Sequence, residues 1–364
     1  MRTSRTLLAV AISMLIAEQA FAASASLQEQ TGTNNYADIV QEGEGHVLEQ
    51  AQEGDSNVAY TEQMGLGLTA SSTQTGTGNI SITDQGGAYG NVSISQDGEY
   101  NLATVGQYSA EVGHTAAIDQ TGVSNIAYIE QLDSSGSTAS VTQDGFGNST
   151  ELFQFGNGNR YTGVQVGSSN IANIDQSGGG VVSTDQTGTS NFVAITQDGF
   201  PYGATTSVSQ NGTNNRAIVD QPSGVRYTAG TVELVQIGSD NEADVVANVG
   251  DGSFTFTQDG SGNELVAMQG GRGTLVEGRS TGDFNRVNIE QGFDSSDLFI
   301  TQDGTANEID AVQAGQQHTG TINQTGSENY ASLFQGGGLD GMSQAEAVII
   351  QNGVGNIAVI TQGQ

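Results

Sequence analysis

The side chains of this chain that could carry chemistry are three histidines and a large excess of carboxylates. His46, His114 and His318 are far apart in the sequence, and their spacing to serine and aspartate nominates no Ser/His/Asp triad. The chain has no cysteine, which excludes a disulfide framework, a thiolate zinc site and a cysteine nucleophile. We therefore expect no catalytic residues, no metal ligands and no cofactor.

The charge is strongly acidic, with 40 Asp and Glu against 8 basic residues, all of them Arg. A protein that binds nucleic acid through phosphate contacts needs a basic face, so the composition excludes that class. It equally disfavours a polybasic protein that binds an anionic membrane surface. Calcium would need clustered oxygen ligands or the tandem motif of β-rolls, whereas the acids of the recurring Gln-Asp-Gly stand singly. They are Asp97, Asp144, Asp198, Asp259 and Asp303. The expected role of this charge is to keep the protein soluble.

The first 22 residues have the pattern of a secretory signal peptide. Arg2 and Arg5 precede the apolar stretch 7–16, which is too short to span a bilayer, and Ala20-Phe21-Ala22 is a small-x-small cleavage site. We expect cleavage after residue 22, which leaves residues 23–364 as a single repeat domain. The mature protein is predicted to be secreted and not to be an integral membrane protein.

One repeat, Q-x-G-x-x-N-x-A-x-x-x-Q, fills the chain from residue 30 onward. We number its opening Gln as position 0, which makes Gly position 2, Asn position 5 and the closing Gln position 11. The commonest interval is 22 residues, and Gly and Asn are present in all 15 copies. The copies, numbered 1 to 15, begin at 30, 52, 74, 96, 120, 143, 165, 186, 210, 236, 258, 280, 302, 324 and 351. Ser280 and Ala247 are the two departures from Gln at positions 0 and 11.

Each copy predicts two short β-strands. In copy 5 the alternate residues Asn125, Ala127, Ile129 and Gln131 are polar, small, aliphatic and polar. The alternate positions −4, −2 and 0 show the same two-residue period, with apolar residues leading to the opening Gln, as in Val92, Ile94 and Gln96. A period of two residues places such side chains on one face of a strand. The Gly at position 2 is expected in the turn between the strands, with a positive φ or a tight reversal.

A two-strand unit cannot bury its own face, but stacked copies can. The sequence therefore predicts an all-β fold, a repeat β-solenoid or cross-β stack of about 15 rungs with parallel, in-register strands. At about 4.8 Å per rung the rod would be roughly 70 Å long. Equivalent amides would then hydrogen-bond along the axis as ladders. The residues nominated for ladders and assembly are Gln30, Asn35, Gln41, Gln52, Asn57, Gln63, Gln120, Asn125, Gln131, Gln165, Asn170, Gln176, Gln302, Asn307, Gln313, Gln324, Asn329, Gln335, Gln351, Asn356 and Gln362.

The charged residues agree with stacking. Acids stand at position 1 in copies 2, 4, 6, 11 and 13, so no two occupy adjacent copies. Carboxylates one rung apart would repel each other by roughly 0.9 kcal/mol even in water. The three histidines all stand at position −6, in copies 2, 5 and 14, and we interpret them as replacements of a serine at a strand edge.

The repeat resembles that of the curli (curlin) subunits of bacterial functional amyloid, whose unit is S-x5-Q-x-G-x-x-N-x-A-x3-Q. The resemblance covers residues 24 to 362. It implies a secreted subunit that polymerises with itself into extracellular cross-β fibres at the bacterial cell surface, for adhesion and biofilm matrix. It also implies a nucleating or co-polymerising curli subunit and an outer-membrane export apparatus as partners. Ser24 already opens copy 1 directly after the signal peptide, and the resemblance leaves open whether this is a major or a nucleating subunit.

The alternative interpretation is a monomeric secreted β-solenoid, either an adhesin or an ice-binding or calcium-binding repeat protein. Such a monomer must block its end rungs against stacking. Copy 1 begins directly after the signal peptide and copy 15 closes at Gln362 without a capping segment. Open strand edges at both ends favour the fibre subunit, and the lack of regular T-x-T columns disfavours ice binding.

Overall fold

The computed structural model describes residues 23–109, 113–132, 136–198, 203–222, 230–337 and 344–363. The expected signal peptide, residues 1–22, lies outside these ranges. Within them the chain forms thirty strands in two sheets of fifteen strands each, and successive strands alternate between the sheets. No helix long and apolar enough to cross a membrane occurs in the described residues.

The first sheet contains the odd-numbered strands, each of which is nine residues long. They are β1 (Ala25–Thr33), β3 (Val47–Asp55), β5 (Thr69–Thr77), β7 (Asn91–Glu99), β9 (Thr115–Val123), β11 (Thr138–Phe146), β13 (Arg160–Ser168), β15 (Val181–Thr189), β17 (Thr205–Thr213), β19 (Thr231–Ser239), β21 (Ser253–Ser261), β23 (Leu275–Asp283), β25 (Asp297–Thr305), β27 (Thr319–Ser327) and β29 (Glu346–Val354).

The second sheet contains the even-numbered strands, which begin at position 6 of each copy. They are β2 (Tyr36–Glu44), β4 (Val58–Leu66), β6 (Ile80–Ala88), β8 (Leu102–Ser109), β10 (Ile126–Leu132), β12 (Ser149–Phe155), β14 (Ile171–Ser177), β16 (Phe192–Asp198), β18 (Arg216–Gln221), β20 (Glu242–Gly250), β22 (Glu264–Arg272), β24 (Arg286–Gln291), β26 (Glu308–Ala314), β28 (Tyr330–Gly336) and β30 (Ile357–Gln362).

Every strand pairs in parallel with the equivalent strand of the next copy. Gln143 of β11, for example, is in register with Gln120 of β9 on one side and Gln165 of β13 on the other. The copies differ in length only between position 11 and the next odd strand, so the extra residues leave this register unchanged. The predicted all-β solenoid with two strands per rung is confirmed.

The interior lies between the two sheets and follows the two-residue period. In β10, Ala127, Ile129 and Gln131 are buried while Ile126 on the outer face is exposed. The buried hydrophobic side chains form one continuous cluster from Leu48 to Ile349. Because stacking in parallel repeats the same face on every rung, the apolar strip extends along the rod.

The turn between the two strands of a copy differs from the prediction. The odd strands continue through the Gly at position 2, as Gly145 pairs with Gly167 of the next rung, and the chain reverses at positions 4 and 5. Gly145 has a φ of +124°, and a Cβ there would overlap the carbonyl oxygen of Gly167. The expected positive φ is therefore present, but its reason is the close approach of stacked backbones within the ladder.

Candidate functional site

The Asn column at position 5 forms a continuous hydrogen-bonded series through all fifteen rungs. The Oδ1 atom of Asn57 accepts from the backbone N–H of Asn79 at 3.0 Å and from its Nδ2 at 3.1 Å. The Nδ2 atom of Asn57 also donates to the carbonyl of Gly76 at 3.0 Å. Each Asn thus binds the reversal of its own rung to the rungs on both sides. The Asn-to-Asn links run without interruption from Asn35 to Asn356.

The Gln columns at positions 0 and 11 lie between the sheets. At position 0 the Nε2 atom of Gln74 donates to Oε1 of Gln96 at 2.8 Å and to the carbonyl of Val58, on the facing sheet, at 3.0 Å. At position 11, Gln131 Nε2 donates to Gln154 Oε1 at 2.7 Å and to the Thr115 carbonyl at 3.4 Å. Both amide hydrogens are thereby used, which removes most of the cost of burying a polar group.

The ladders have opposite directions of donation along the rod. The bonds between Gln side chains run toward the C-terminus, as Gln30 donates to Gln52 and Gln41 donates to Gln63. The bonds between Asn side chains run the other way, since Nδ2 of each donates to Oδ1 of the Asn in the preceding copy, as Asn356 does to Asn329 at 2.9 Å. The two ends of the rod therefore present different amide atoms.

A family model described as the curlin associated repeat matches residues 115–145. The chain carries a curlin repeat. The matched segment holds all of copy 5 from its first strand onward and the first strand of copy 6, so it contains the ladder residues Gln120, Asn125, Gln131 and Gln143. The resemblance of the repeat to the curlin family is confirmed by this match. A search of curated proteins finds no match to the chain.

The nominated ladder residues fall into two environments according to the rung that holds them. In copies 2, 5, 7, 13 and 14 they are buried. In the end copies they are more accessible: Gln30 is exposed, and Asn35, Gln41, Asn356 and Gln362 are half-buried, although Gln351 is buried. Strands β1, β2, β29 and β30 form the outer edges of the two sheets. The copies at the ends thus combine partly exposed amides with a strand edge that pairs with no other described strand.

The acidic residues at position 1 of the repeat lie on the outer face of the first sheet. Glu53 is in register with Thr31 and Thr75, and Asp97 is in register with Thr75 and Thr121. Adjacent carboxylates at this position are absent throughout the ladder. The stack therefore spaces its position 1 charges by at least two rungs, as expected from their repulsion.

The three histidines are buried at the corner that precedes the odd strands. Nδ1 of His46 accepts from the Leu68 N–H at 3.3 Å, and its Nε2 lies 3.1 Å from the Glu42 carbonyl. The rings of His114 and His318 have no hydrogen-bond partner among the described residues. Burial lowers the pKa of both below the usual histidine value, and the nearby Tyr108 backbone offsets part of the shift at His114. The described residues contain no group of three or more His, Asp or Glu placed to hold a metal ion.

Two polar patterns on the outer face of the second sheet were not predicted from the sequence. At position 6, Arg216 contacts Glu242 at 3.0 Å, and Arg286 lies 3.7 Å from Glu264. Tyrosines donate to carboxylates on the same face, as Tyr128 does to Glu130 at 2.6 Å. Burial raises the pKa of Tyr128 to about 12, and this hydrogen bond is the second largest cause of the increase. The run of charged residues of both signs at position 6 of copies 9 to 13 was the available signal, since stacked copies place them one rung apart.

Proposed function

We propose that this protein is a structural subunit of extracellular curli-type amyloid fibres, with no enzymatic activity. The observation that carries the proposal is the pair of end rungs, where strand edges that pair with no other described strand coincide with partly exposed Gln and Asn side chains. An incoming chain would complete the backbone pairing and the amide ladders together, and would offer a new end rung of the same kind. Growth would thus be templated stacking, with the nominated ladder residues as its contacts.

The cellular setting of the proposal follows from the curlin resemblance. After removal of residues 1–22, the chain 23–364 would leave through an outer-membrane export apparatus. It would then polymerise with itself at the cell surface, seeded or joined by a second curli subunit, and serve adhesion and the biofilm matrix. The many solvated carboxylates would keep the subunit soluble until it meets a growing end.

The first experiment is to incubate purified residues 23–364 at neutral pH and follow thioflavin T fluorescence with and without preformed seeds. Any product is then examined by fibre diffraction. Seedable growth with reflections near 4.8 and 10 Å supports the proposal. A lasting soluble monomer with strand-rich circular dichroism would contradict it and favour the monomeric adhesin-like solenoid.

A proline at the open edge of β29 gives a sharper test. The N–H of Thr319, at position −5 of copy 14, donates to the carbonyl of Ala345 in copy 15. N–H groups two residues apart point to the same edge of a strand, so the Val348 N–H, at position −3 of copy 15, faces the open end. Val348→Pro removes this donor and places the proline ring at that edge, and it should block addition at that end. Val348→Thr, which keeps the N–H, should elongate like the wild type.

A further inference from the structure

The outward column at position 6 of the second sheet changes from apolar to charged residues along the rod. It is apolar in copies 1 to 5, 7 and 8, and apolar again in copies 14 and 15. Because the copies stack about 4.8 Å apart, the column presents the charges between them in a fixed linear order to a molecule that packs against this face. The charged residues of copies 9 to 13 are, in chain order, Arg216, Glu242, Glu264, Arg286 and Glu308.

These charges remain accessible although four of them form ion pairs within the chain. The side chains of Arg216 and Glu242 are 44 and 56 % exposed, and those of Arg286 and Glu264 are 49 and 44 % exposed. Glu308 follows Arg286 in the ladder but forms no ion pair with a described residue. Exposed pairs of this kind contribute little to the stability of a fold, and their side chains can also contact a second molecule.

The order of the charges is complementary to its own reverse. From copy 9 to copy 13 the signs are positive, negative, negative, positive and negative. When a second, reversed column is placed against the first with copy 11 facing copy 11, Arg216 faces Glu308 on both sides of the centre. Glu242 likewise faces Arg286, so four of the five positions oppose an Arg to a Glu. Only Glu264 faces itself, and Arg286 of its own chain, 3.7 Å away, offsets part of that repulsion.

The neighbouring apolar residues match in the same alignment. Copy 8 faces copy 14, which places Phe192 against Tyr330. Copy 7 faces copy 15, which places Ile171 against Ile357. These two isoleucines are 39 and 76 % exposed, and the contact would cover both, which favours association.

The next outward column, at position 8, is compatible with this alignment. Asp244 faces Asn288, whose Nδ2 atom donates one hydrogen to Asp310 at 2.7 Å and can donate its second hydrogen to the facing carboxylate. Asp310 faces Ile218, but it keeps the hydrogen bonds from Asn288 and from Tyr330 of its own chain. Positions 10 and 12 of copies 7 to 15 hold four acids and no Arg, so the contact is limited to positions 6 and 8.

We propose that two copies of this chain pair side by side, with antiparallel axes, through positions 6 and 8 of copies 7 to 15. A two-fold axis through copy 11 relates them, so each copy uses the same surface. Parallel rods in register would instead oppose every charge to itself. The contact would be roughly 40 Å long and only two side-chain columns wide, so a single pair should be weak and sensitive to salt. The inference goes beyond the proposed fibre function, because it uses the outer face of the second sheet and no strand edge.

The orientation is tested with engineered cysteines, since the chain has none of its own. Ala194 of copy 8 and Ser332 of copy 14 both occupy position 8 and would face each other in the pair. Ala194→Cys and Ser332→Cys chains of residues 23–364, one labelled with ¹⁵N, are mixed at low salt. They are then treated with a bismaleimide that spans about 10 Å, the spacing of packed sheets. Thr257→Cys, on the outer face of the first sheet in copy 11, is the matched control.

Antiparallel pairing predicts mixed dimers that join Ala194→Cys to Ser332→Cys, with only background from either variant alone and from Thr257→Cys. The dimers are separated by denaturing electrophoresis and assigned by mass spectrometry. Stacking through the end rungs would leave these two positions many rungs apart, so the mixed dimers report the lateral contact alone.

A charge exchange tests whether the position 6 column causes the pairing. Val266→Cys, at position 8 of copy 11, lies on the two-fold axis and reports the pair by crosslinking to itself. In this background Arg216→Glu alone or Glu308→Arg alone creates two like-charge contacts, which should lower the dimer yield roughly tenfold. Asp303→Arg, in the same copy as Glu308 but on the first sheet, should leave the yield unchanged.

Mixing the Arg216→Glu and Glu308→Arg chains restores both contacts between opposite charges and should restore the yield. Arg216 and Glu308 are about 19 Å apart in one chain, so a loss that arises within a chain could not be repaired by mixing.

Three results would overturn the proposal. Same-variant dimers of Ala194→Cys or Ser332→Cys would indicate parallel pairing. An absence of mixed dimers above the Thr257→Cys background would exclude the contact, and a loss in the charge variants that mixing does not restore would exclude its electrostatic cause. None of these results bears on the proposed fibre function, which seeded growth tests separately.

Discussion

Gln269 of β22 is in register with Ala247 of β20, which is the only position 11 residue that is not Gln. Gln269 donates to Gln291 at 3.0 Å, but its Oε1 atom is buried and has no hydrogen-bond partner. In the other copies this oxygen accepts from the Gln one rung before it, a donor that Ala247 lacks. The position 11 ladder is therefore interrupted at this rung, and the interruption leaves an unsatisfied acceptor in the interior.

Restoring the missing amide should stabilise the fold. Ala247→Gln supplies an Nε2 donor to Gln269, and we expect an increase of about 1 kcal/mol in the free energy of unfolding. Ala247→Met is the matched control, because it adds similar volume without a donor. The measurement is the denaturant midpoint followed by circular dichroism. Equal stabilisation by both residues would assign the effect to packing instead of the hydrogen bond.

Two glycines of one corner should respond differently to substitution. Gly145→Ala places a Cβ against the Gly167 carbonyl at a φ that side chains rarely adopt, and should cost about 1–3 kcal/mol in backbone strain before the overlap is added. Gly147 has a φ of 63°, close to that of Asn34 at the equivalent position of copy 1. Gly147→Asn should therefore leave the unfolding free energy nearly unchanged. A similar loss from both variants would show that the backbone approach at position 2 is not the cause.

Substitutions in the amide ladders should affect the rate of fibre elongation when they lie in the end copies and the stability of the fold when they lie in the middle of the rod. Ala substitutions at Gln30, Asn35, Asn356 or Gln362 should slow seeded elongation, because these residues would meet the incoming chain. Asn170→Ala removes a buried acceptor of two hydrogen bonds from Asn191. It should lower the unfolding free energy by about 1–3 kcal/mol with a smaller effect on elongation. The same slowing at both places would contradict a special role for the end rungs.

Acid should destabilise the fold through His114 and His318. Because burial lowers their folded-state pKa, both rings are neutral in each state above about pH 6.5, and they add no pH dependence there. As the pH falls below that value the unfolded chain binds protons that the folded chain does not, so stability decreases until the folded pKa is reached. His114→Asn/His318→Asn should remove this part of the decrease in unfolding experiments between pH 7 and 5.

Asn is a suitable replacement because Asn159 occupies the same position in copy 7, where its Oδ1 accepts from the Gly179 and Gly180 N–H groups. The carboxylates are unchanged in the double variant, so they contribute equally to both pH profiles. An identical decrease in the wild type and the variant would assign the acid sensitivity to groups other than these histidines.

The sequence alone determined the period, the two strands per copy, the residues that face inward and the parallel register. It could do so because a one-residue slip in any copy would bury the outer face, so fifteen repetitions leave one consistent alignment. The same columns identified Gln and Asn as the interior amides. The sequence could not predict that the Gln and Asn ladders donate in opposite directions, because a Gln or Asn residue can place its carboxamide in either orientation.

Only the tertiary structure decided features that depend on what lies one rung away. It placed Gly145 inside the ladder and the reversal two residues later, because the carbonyl of the stacked Gly167 is what leaves no room for a Cβ. It showed the Arg216–Glu242 pair and the unpartnered oxygen of Gln269. These residues are 22 or 26 positions apart from their neighbours in the stack, and their contacts exist only once the copies are in register.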